Sequence, residues 1–250
     1  MSKDDLIIGD LHFGLEYKGI DFNERISERM SDVFESIKKE PVDKIIFLGD
    51  LVHIAALSID TFYFVIYWVK KLKKYSNVIY LIQGNHDGKL SRNDEKTLFE
   101  LMDIIFDYEK GIMFFIDLKI IKVNKKLRFL FIPFIERLML EKLNIKDSPQ
   151  KYIEDKLKKK LKKIPKDKSI IVFSHLNFLG AKDGGGTELP VHNDLFIPQF
   201  LLKDKRVKKV FNGHVHSPQE LGKLIVPGSL ETLRYGEGIK RFFIRVNYEN

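Results

Sequence analysis

Apolar residues along the chain fall into short runs separated by polar, glycine-bearing turns, and these runs alternate with segments of helical period. Residues 6–9 are a brief apolar run ending at Asp10. Ile26, Met30, Val33 and Ile37 then recur at helical spacing, in a segment closed by Pro41, whose ring cannot continue a helix. Residues 44–48 read as a strand buried on both faces, because the apolar positions are continuous rather than alternating. The pattern next predicts a helix near residues 60–74, a strand at 77–82 and a helix at 94–105.

The middle of the chain changes character. Residues 112–116, 119–123 and 127–132 are predicted as meandering strands, with Asn124-Lys125-Lys126 as a turn. Ser148 and Pro149 open a helix, the serine as N-cap and the proline at the first helical position. Its apolar stripe is Ile153, Leu157, Leu161 and Ile164, and the remainder is mostly lysine. Beyond Pro165, residues 169–173 form another buried-type strand, and the tail alternates short strands and turns up to residues 241–246. No internal repeat or long linker divides the chain, and Gly184-Gly185-Gly186 is a loop rather than a boundary. The expectation is one α/β domain over residues 1–250, two sheets packed together with helices outside.

Composition sharpens this picture. Hydrophobic residues are 44% and aromatics 12% of the chain, enough to fill a core and to exclude a disordered protein. There is no cysteine, so disulfides and thiolate metal sites are excluded, and oxygen and imidazole remain as the strong metal ligands. The N-terminus carries no secretory signature. The longest apolar run, residues 62–69, is far shorter than the ~20 residues a membrane span needs. A soluble, cytoplasmic protein without a membrane partner is expected. Lys and Arg number 43 against 35 Asp and Glu, a formal charge of +8. That balance favours polyanionic partners, although surface lysines also serve solubility alone.

The strand-like runs end in one kind of residue. The first ends Gly9-Asp10-Leu11-His12, the second Gly49-Asp50-Leu51-Val52-His53 and the third Gly84-Asn85-His86-Asp87. Residues 169–173 lead into Ser174-His175, and the run near 207–211 into Asn212-Gly213-His214-Val215-His216. Six of the seven histidines lie in these five segments. In an open α/β sheet, polar groups just past the strand carboxyl ends converge on one crevice. A pair of divalent ions needs an anionic bridge, neutral imidazoles and hard oxygens. Asp10, His12, Asp50, Asn85, His175, His214 and His216 supply that set, and Asp50 is the natural bridge. Asp87 is read as a turn cap or an orienting neighbour, and the isolated His192 as incidental. The aromatic stretch Phe62-Tyr63-Phe64, with Tyr67 and Trp68, is assigned to the core or to a homodimer surface.

These motifs resemble those of the calcineurin-like metallophosphoesterase superfamily, and most closely the SbcD-type nucleases of DNA double-strand-break repair. The histidine three residues after Asp50, Phe131-Ile132-Pro133-Phe134, and Gly213 to Gln219 followed by Val226-Pro227-Gly228-Ser229 carry the narrower likeness. The resemblance implies a four-layer αββα sandwich, two mixed β-sheets packed face to face with helices outside. It implies one ion on Asp10, His12, Asp50 and His216 and another on Asp50, Asn85, His175 and His214, with Mn2+ as the metal. His86 would be the general acid and His53 would position the phosphate. The implied activity is that of a DNA exonuclease with some endonuclease action, in repair or recombination. Such nucleases continue into a capping domain and a segment that docks an SbcC-like ATPase. This sequence ends at Asn250 soon after its last strand, so a nuclease core without either is expected. The alternatives are a small-molecule or cyclic-nucleotide phosphodiesterase or phosphatase on the same fold, and a non-catalytic scaffold. Eight lysines in residues 156–168 offer either a DNA-tracking surface or merely a solvated helix face.

Overall fold

The computed structural model describes residues 4–54, 57–88, 96–107, 109–189, 195–233 and 241–248. In chain order the elements begin with β1 (Asp5–Ile8), a small hairpin of β2 (Glu16–Tyr17) and β3 (Ile20–Asp21), and α1 (Asn23–Lys39). They continue with β4 (Val42–Phe47), α2 (Ile59–Lys73), β5 (Ser76–Ile82), α3 (Leu98–Phe106), β6 (Ile112–Phe115), β7 (Lys119–Lys122) and β8 (Leu127–Ile132). The second half holds α4 (Arg137–Lys142), α5 (Pro149–Lys162), β9 (Ser169–Ser174), α6 (Gln199–Lys203) and β10 (Val207–Asn212). It closes with β11 (Gln219–Leu221), β12 (Leu224–Val226) and β13 (Ile244–Val246).

Two mixed sheets result. The first runs β13-β1-β4-β5-β6 and the second β11-β12-β10-β9-β8-β7, with only the outermost pairs β13–β1, β11–β12 and β7–β8 antiparallel. The period-two alternation of each strand divides the core into three slabs. Leu6, Ile8, Ile45, Phe47, Ile79 and Leu81 pack outward with the apolar stripes of α1, α2 and α3. Leu130, Ile132, Ile170 and Val172 pack outward on the other side with Ile153, Leu157 and Leu161 of α5. Ile7, Ile46, Tyr80 and Ile82 face Phe129, Phe131, Ile171, Phe173 and Phe211 in the slab between the sheets. Three slabs between four layers is the αββα sandwich.

Several local expectations are corrected. Residues 112–132 do not form one meander. β6 joins the first sheet parallel to β5, and β7 and β8 form a hairpin in the second. The helix expected from residue 94 begins at Leu98, because Thr97 and Glu100 close a reciprocal capping box there; residues 94 and 95 lie outside the described residues. The aromatic stretch of α2 divides by side: Trp68 is buried and Phe64 packs on the core, while Tyr63 and Tyr67 are exposed. The lysine-rich segment is helical only to Lys162. His192 lies outside the described residues. Among those residues, no helix is long and apolar enough to cross a membrane.

Candidate metal centre

Five loops meet beyond the carboxyl ends of β1, β4, β5, β9 and β10, bringing together all seven residues expected as ligands. Backbone hydrogen bonds tie the loops directly. Leu11 and His12 N–H donate to the Asp50 carbonyl at 3.0 and 2.9 Å, and Gly213 N–H donates to the Ser174 carbonyl at 2.9 Å. The turns are forced ones. His12, Asp50 and His214 have positive φ of 58°, 47° and 74°, a region L-residues enter only when their surroundings hold them there. Glycines admit the close approach: a Cβ on Gly84 would lie 2.1 Å from Asp50 Oδ1, and one on Gly213 would lie 2.6 Å from Asp10 Oδ1.

Two sets of donor atoms share Asp50. The ligand atoms of Asp10, His12, Asp50 and His216 all lie within 4.8 Å of one another. Within this set, His12 Nε2 is 3.0 Å from His216 Nε2 and 3.5 Å from Asp50 Oδ2. In the second, His175 Nε2 is 3.4 Å from Asp50 Oδ2 and 3.0 Å from Asn85 Oδ1, and His214 Nδ1 is 2.9 Å from the same Asn85 oxygen. His12, His53 and His86 also cluster within 4.8 Å. That trio has no carboxylate and suits a divalent cation less well than the two sets containing Asp50.

Electrostatics within the centre are those of closely spaced buried charges. Burial works to raise Asp50, yet neighbouring His175 overcomes it and holds that carboxyl far below the usual carboxylate range. Burial likewise works to lower His175, but Asp50 and then Asp10 dominate and push it up to about 9. Asp10 is raised, chiefly by burial. His12 is held well below the ordinary histidine value by burial, so it is a neutral imidazole. His175 Nδ1–H donates to the Leu48 carbonyl at 2.7 Å, which leaves Nε2 to face Asp50 and Asn85. A histidine anchored by a backbone carbonyl at one nitrogen, with the other aimed at acidic oxygens, has the form of a metal ligand with its outer support. Either a proton or a cation must sit between those acceptors, and the shared carboxylate with six nitrogen and oxygen donors around it fits divalent ions.

The opening of the centre is formed by half-buried Asn85, His86, His214, His216 and His53. His86 N–H donates to Asp50 Oδ1 at 2.9 Å, and its Nδ1 lies 2.6 Å from the His53 carbonyl. Its ring stands 4.7 Å from that of His12 and 4.9 Å from that of His53. Asp87 supports this loop as expected, accepting from Val52 N–H at 3.1 Å and Gly84 N–H at 2.8 Å. Burial, with the nearby Asp50 charge, raises its pKa to about 7.

Two supports carry no signal strong enough to find in the sequence. Asn212 accepts from Ser174 Oγ and Leu176 N–H and donates to the Leu176 and Gly213 carbonyls, so one buried amide clamps the β9 and β10 loops together. Buried Glu231 accepts from Arg25 and Arg29 at 2.8 Å each, fastening the segment after the Gly228-Ser229 turn to α1. Asn212 was visible only as part of a motif. The Glu231 pairing spans more than 200 residues and leaves no local pattern.

A two-sheet sandwich whose strand ends gather two candidate ligand sets around one carboxylate is the arrangement expected of a metal-dependent phosphoester hydrolase. The family model for calcineurin-like phosphoesterase matches residues 6–218, and the chain belongs to that family. Its fold is similar to that of a dimetal phosphatase from Danio rerio, with 12% identity, a TM-score of 0.57, and 91% of this chain and 87% of that one covered. It is also similar to that of phosphopantetheinyl hydrolase from Mycobacterium tuberculosis, with 12% identity, a TM-score of 0.53, and 91% and 90% covered.

Proposed function

We propose that the chain is a two-metal phosphodiesterase whose substrate is DNA. One ion is assigned to Asp10, His12, Asp50 and His216, the other to Asp50, Asn85, His175 and His214, and manganese is the proposed metal. When bound, such ions activate the attacking water and neutralise charge on the phosphoryl oxygens. The chain's own residues do the rest. His86 is held by its backbone N–H on Asp50 and by Nδ1 on the His53 carbonyl, so Nε2 is the nitrogen left to carry a proton to the leaving alkoxide. His53, stacked against His86, orients the phosphate.

The single observation that supports this reading is the fixed His86 beside the shared carboxylate, because an ester's alkoxide leaves poorly without a proton. The same acid would serve a monoester, and the choice of a diester follows the resemblance to the nucleases. General acid catalysis of this kind is worth about 10²–10⁴-fold. His86→Ala should therefore retain both ions by metal analysis and lose about that factor in manganese-dependent cleavage of labelled DNA. A variant that no longer binds one ion would make His86 a ligand and sink the assignment.

A second reading, a small-molecule phosphodiesterase, draws support from the placement of charge. Lys158, Lys162, Lys166, Lys205 and Arg206 line a cavity of about 710 Å3. It adjoins the start of β10, whereas the centre adjoins its end, and a six-residue strand spans about 20 Å. Nearer the centre, beside Gly14 and Ile54, a cavity of about 270 Å3 is lined by Glu16, Asp21 and Asp60, which repel a phosphate backbone. A manganese-dependent assay on DNA beside a chromogenic diester separates the readings. Turnover of the ester alone favours the second.

A further inference from the structure

A cavity of about 660 Å3 adjoins the centre on the His214 side. Phe134 forms the shared wall: it lines the cavity, and its ring stacks on His214 with centroids 6.1 Å apart and planes at 30°. It is also tied to the catalytic loop, since its N–H donates to the Gln83 carbonyl at 2.9 Å, two residues before Asn85. Ile135, Leu138, Pro149 and Leu195 supply the other apolar surfaces, and exposed Arg137, which in this structure pairs with Glu141 at 3.0 Å, also lines the cavity. The volume suits an organic group of ligand size, and the mix of apolar walls with a few polar side chains, here Glu136, Arg137, Ser148 and Gln150, is that of a small-molecule subsite.

The position of this cavity decides which part of a diester it takes. His86, which serves the leaving oxygen, sits with His12 and His53, whereas Phe134 sits with His214 in the other donor set. The cavity therefore faces the ester substituent that stays on phosphorus. A flat ring beside an imidazole offers a stacking face that an alkyl chain does not exploit, and every nucleobase has a π-face to match it. Resting on the phosphodiesterase reading, we propose that the Phe134 cavity is a nucleoside subsite, holding the nucleobase of the retained nucleotide stacked on Phe134 with Arg137 reaching its polar edge.

The test compares two diesters with the same leaving group, thymidine 5′-(p-nitrophenyl phosphate) and methyl p-nitrophenyl phosphate, on the manganese-loaded protein. The nucleoside ester should have a KM at least tenfold lower. Phe134→Ala should cut the ratio of kcat/KM for the two esters about tenfold or more, and Phe134→Trp should restore most of it. Equal KM values for the two esters in the wild type, or a ratio unchanged in Phe134→Ala, overturns the subsite. Calorimetric binding of thymidine 5′-monophosphate against methyl phosphate provides a readout without turnover. Tighter binding of the nucleotide that disappears in Phe134→Ala, with neither ester cleaved, upholds the subsite and refutes the phosphodiesterase reading. Equal binding of both phosphates, with neither ester cleaved, refutes the two together.

Discussion

Gly84 is bare because Asp50 fills the space where a side chain would begin. An added Cβ would stand 2.1 Å from Asp50 Oδ1 and 2.3 Å from Asp50 N, and backbone cannot yield as a flexible side chain can. Gly84→Ala is thus expected to displace the shared carboxylate rather than unfold the chain. Metal analysis should find most bound manganese lost while the far-ultraviolet circular dichroism is kept. Two ions held at wild-type affinity would contradict this. At this scale the sequence was informative where chemistry and turn geometry coincide. Gly-Asp, Gly-Asn-His-Asp and Gly-His-x-His marked the donor residues because the glycine and the ligand answer one constraint. The Asn212 clamp was not legible, since an asparagine at a strand end looks alike whether its amide makes four hydrogen bonds or none.

Thr97 shows what local rules fix within an element. Its hydroxyl accepts from Glu100 N–H at 3.1 Å, and Glu100 Oε2 accepts from Thr97 N–H at 2.7 Å. Loss of such a cap costs about 1 kcal/mol, so Thr97→Ala should lower the free energy of unfolding by that amount in a denaturant titration. An unchanged midpoint would mean α3 is held by packing alone. Element type was readable for the long periodic segments, because an apolar stripe at 3.6-residue period and a continuous apolar run bury differently. Sheet membership was not. The runs at 112–115, 119–122 and 127–132 look alike in sequence, yet one pairs with β5 and two form a hairpin across the sandwich. What separates them is the crossing near Asp117 and Leu118, where no residue type announces a change of sheet.

Across the whole molecule, the charge buried at the other end of the strands sets a pH dependence. Asp5 is almost fully buried, with Lys44 Nζ 3.3 Å from one oxygen and, among the described residues, no hydrogen-bond partner for the other. Burial outweighs the lysine and raises its pKa to about 7, against about 3.9 in an unfolded chain. The folded state therefore holds this proton more tightly, and its contribution to stability is full below about pH 4 and is lost as pH rises through about 7. Asn resembles the protonated carboxyl. The difference in Tm between Asp5→Asn and wild type should therefore grow in the variant's favour from pH 5 to pH 8 in scanning calorimetry. A difference that stays flat would place the Asp5 titration elsewhere. The sandwich itself was legible in advance, because alternating element types and doubly buried strands leave few ways to cover every apolar face.

One feature of the assembly reaches beyond catalysis. Asp10, Asp50 and Asn85 follow strands of the first sheet, while His175, His214 and His216 follow strands of the second. Cations gripped by both would rivet the halves of the sandwich, and a ligand that binds only the folded form stabilises it by about 2.7 kcal/mol at a hundredfold excess over Kd. Manganese should accordingly raise Tm and slow amide exchange at the ends of β4 and β10 alike, and a chelator should reverse both. Protection confined to one sheet would mean the ions do not bridge. If the ions do bridge, the survival time of the folded chain in a metal-poor cell falls along with its turnover.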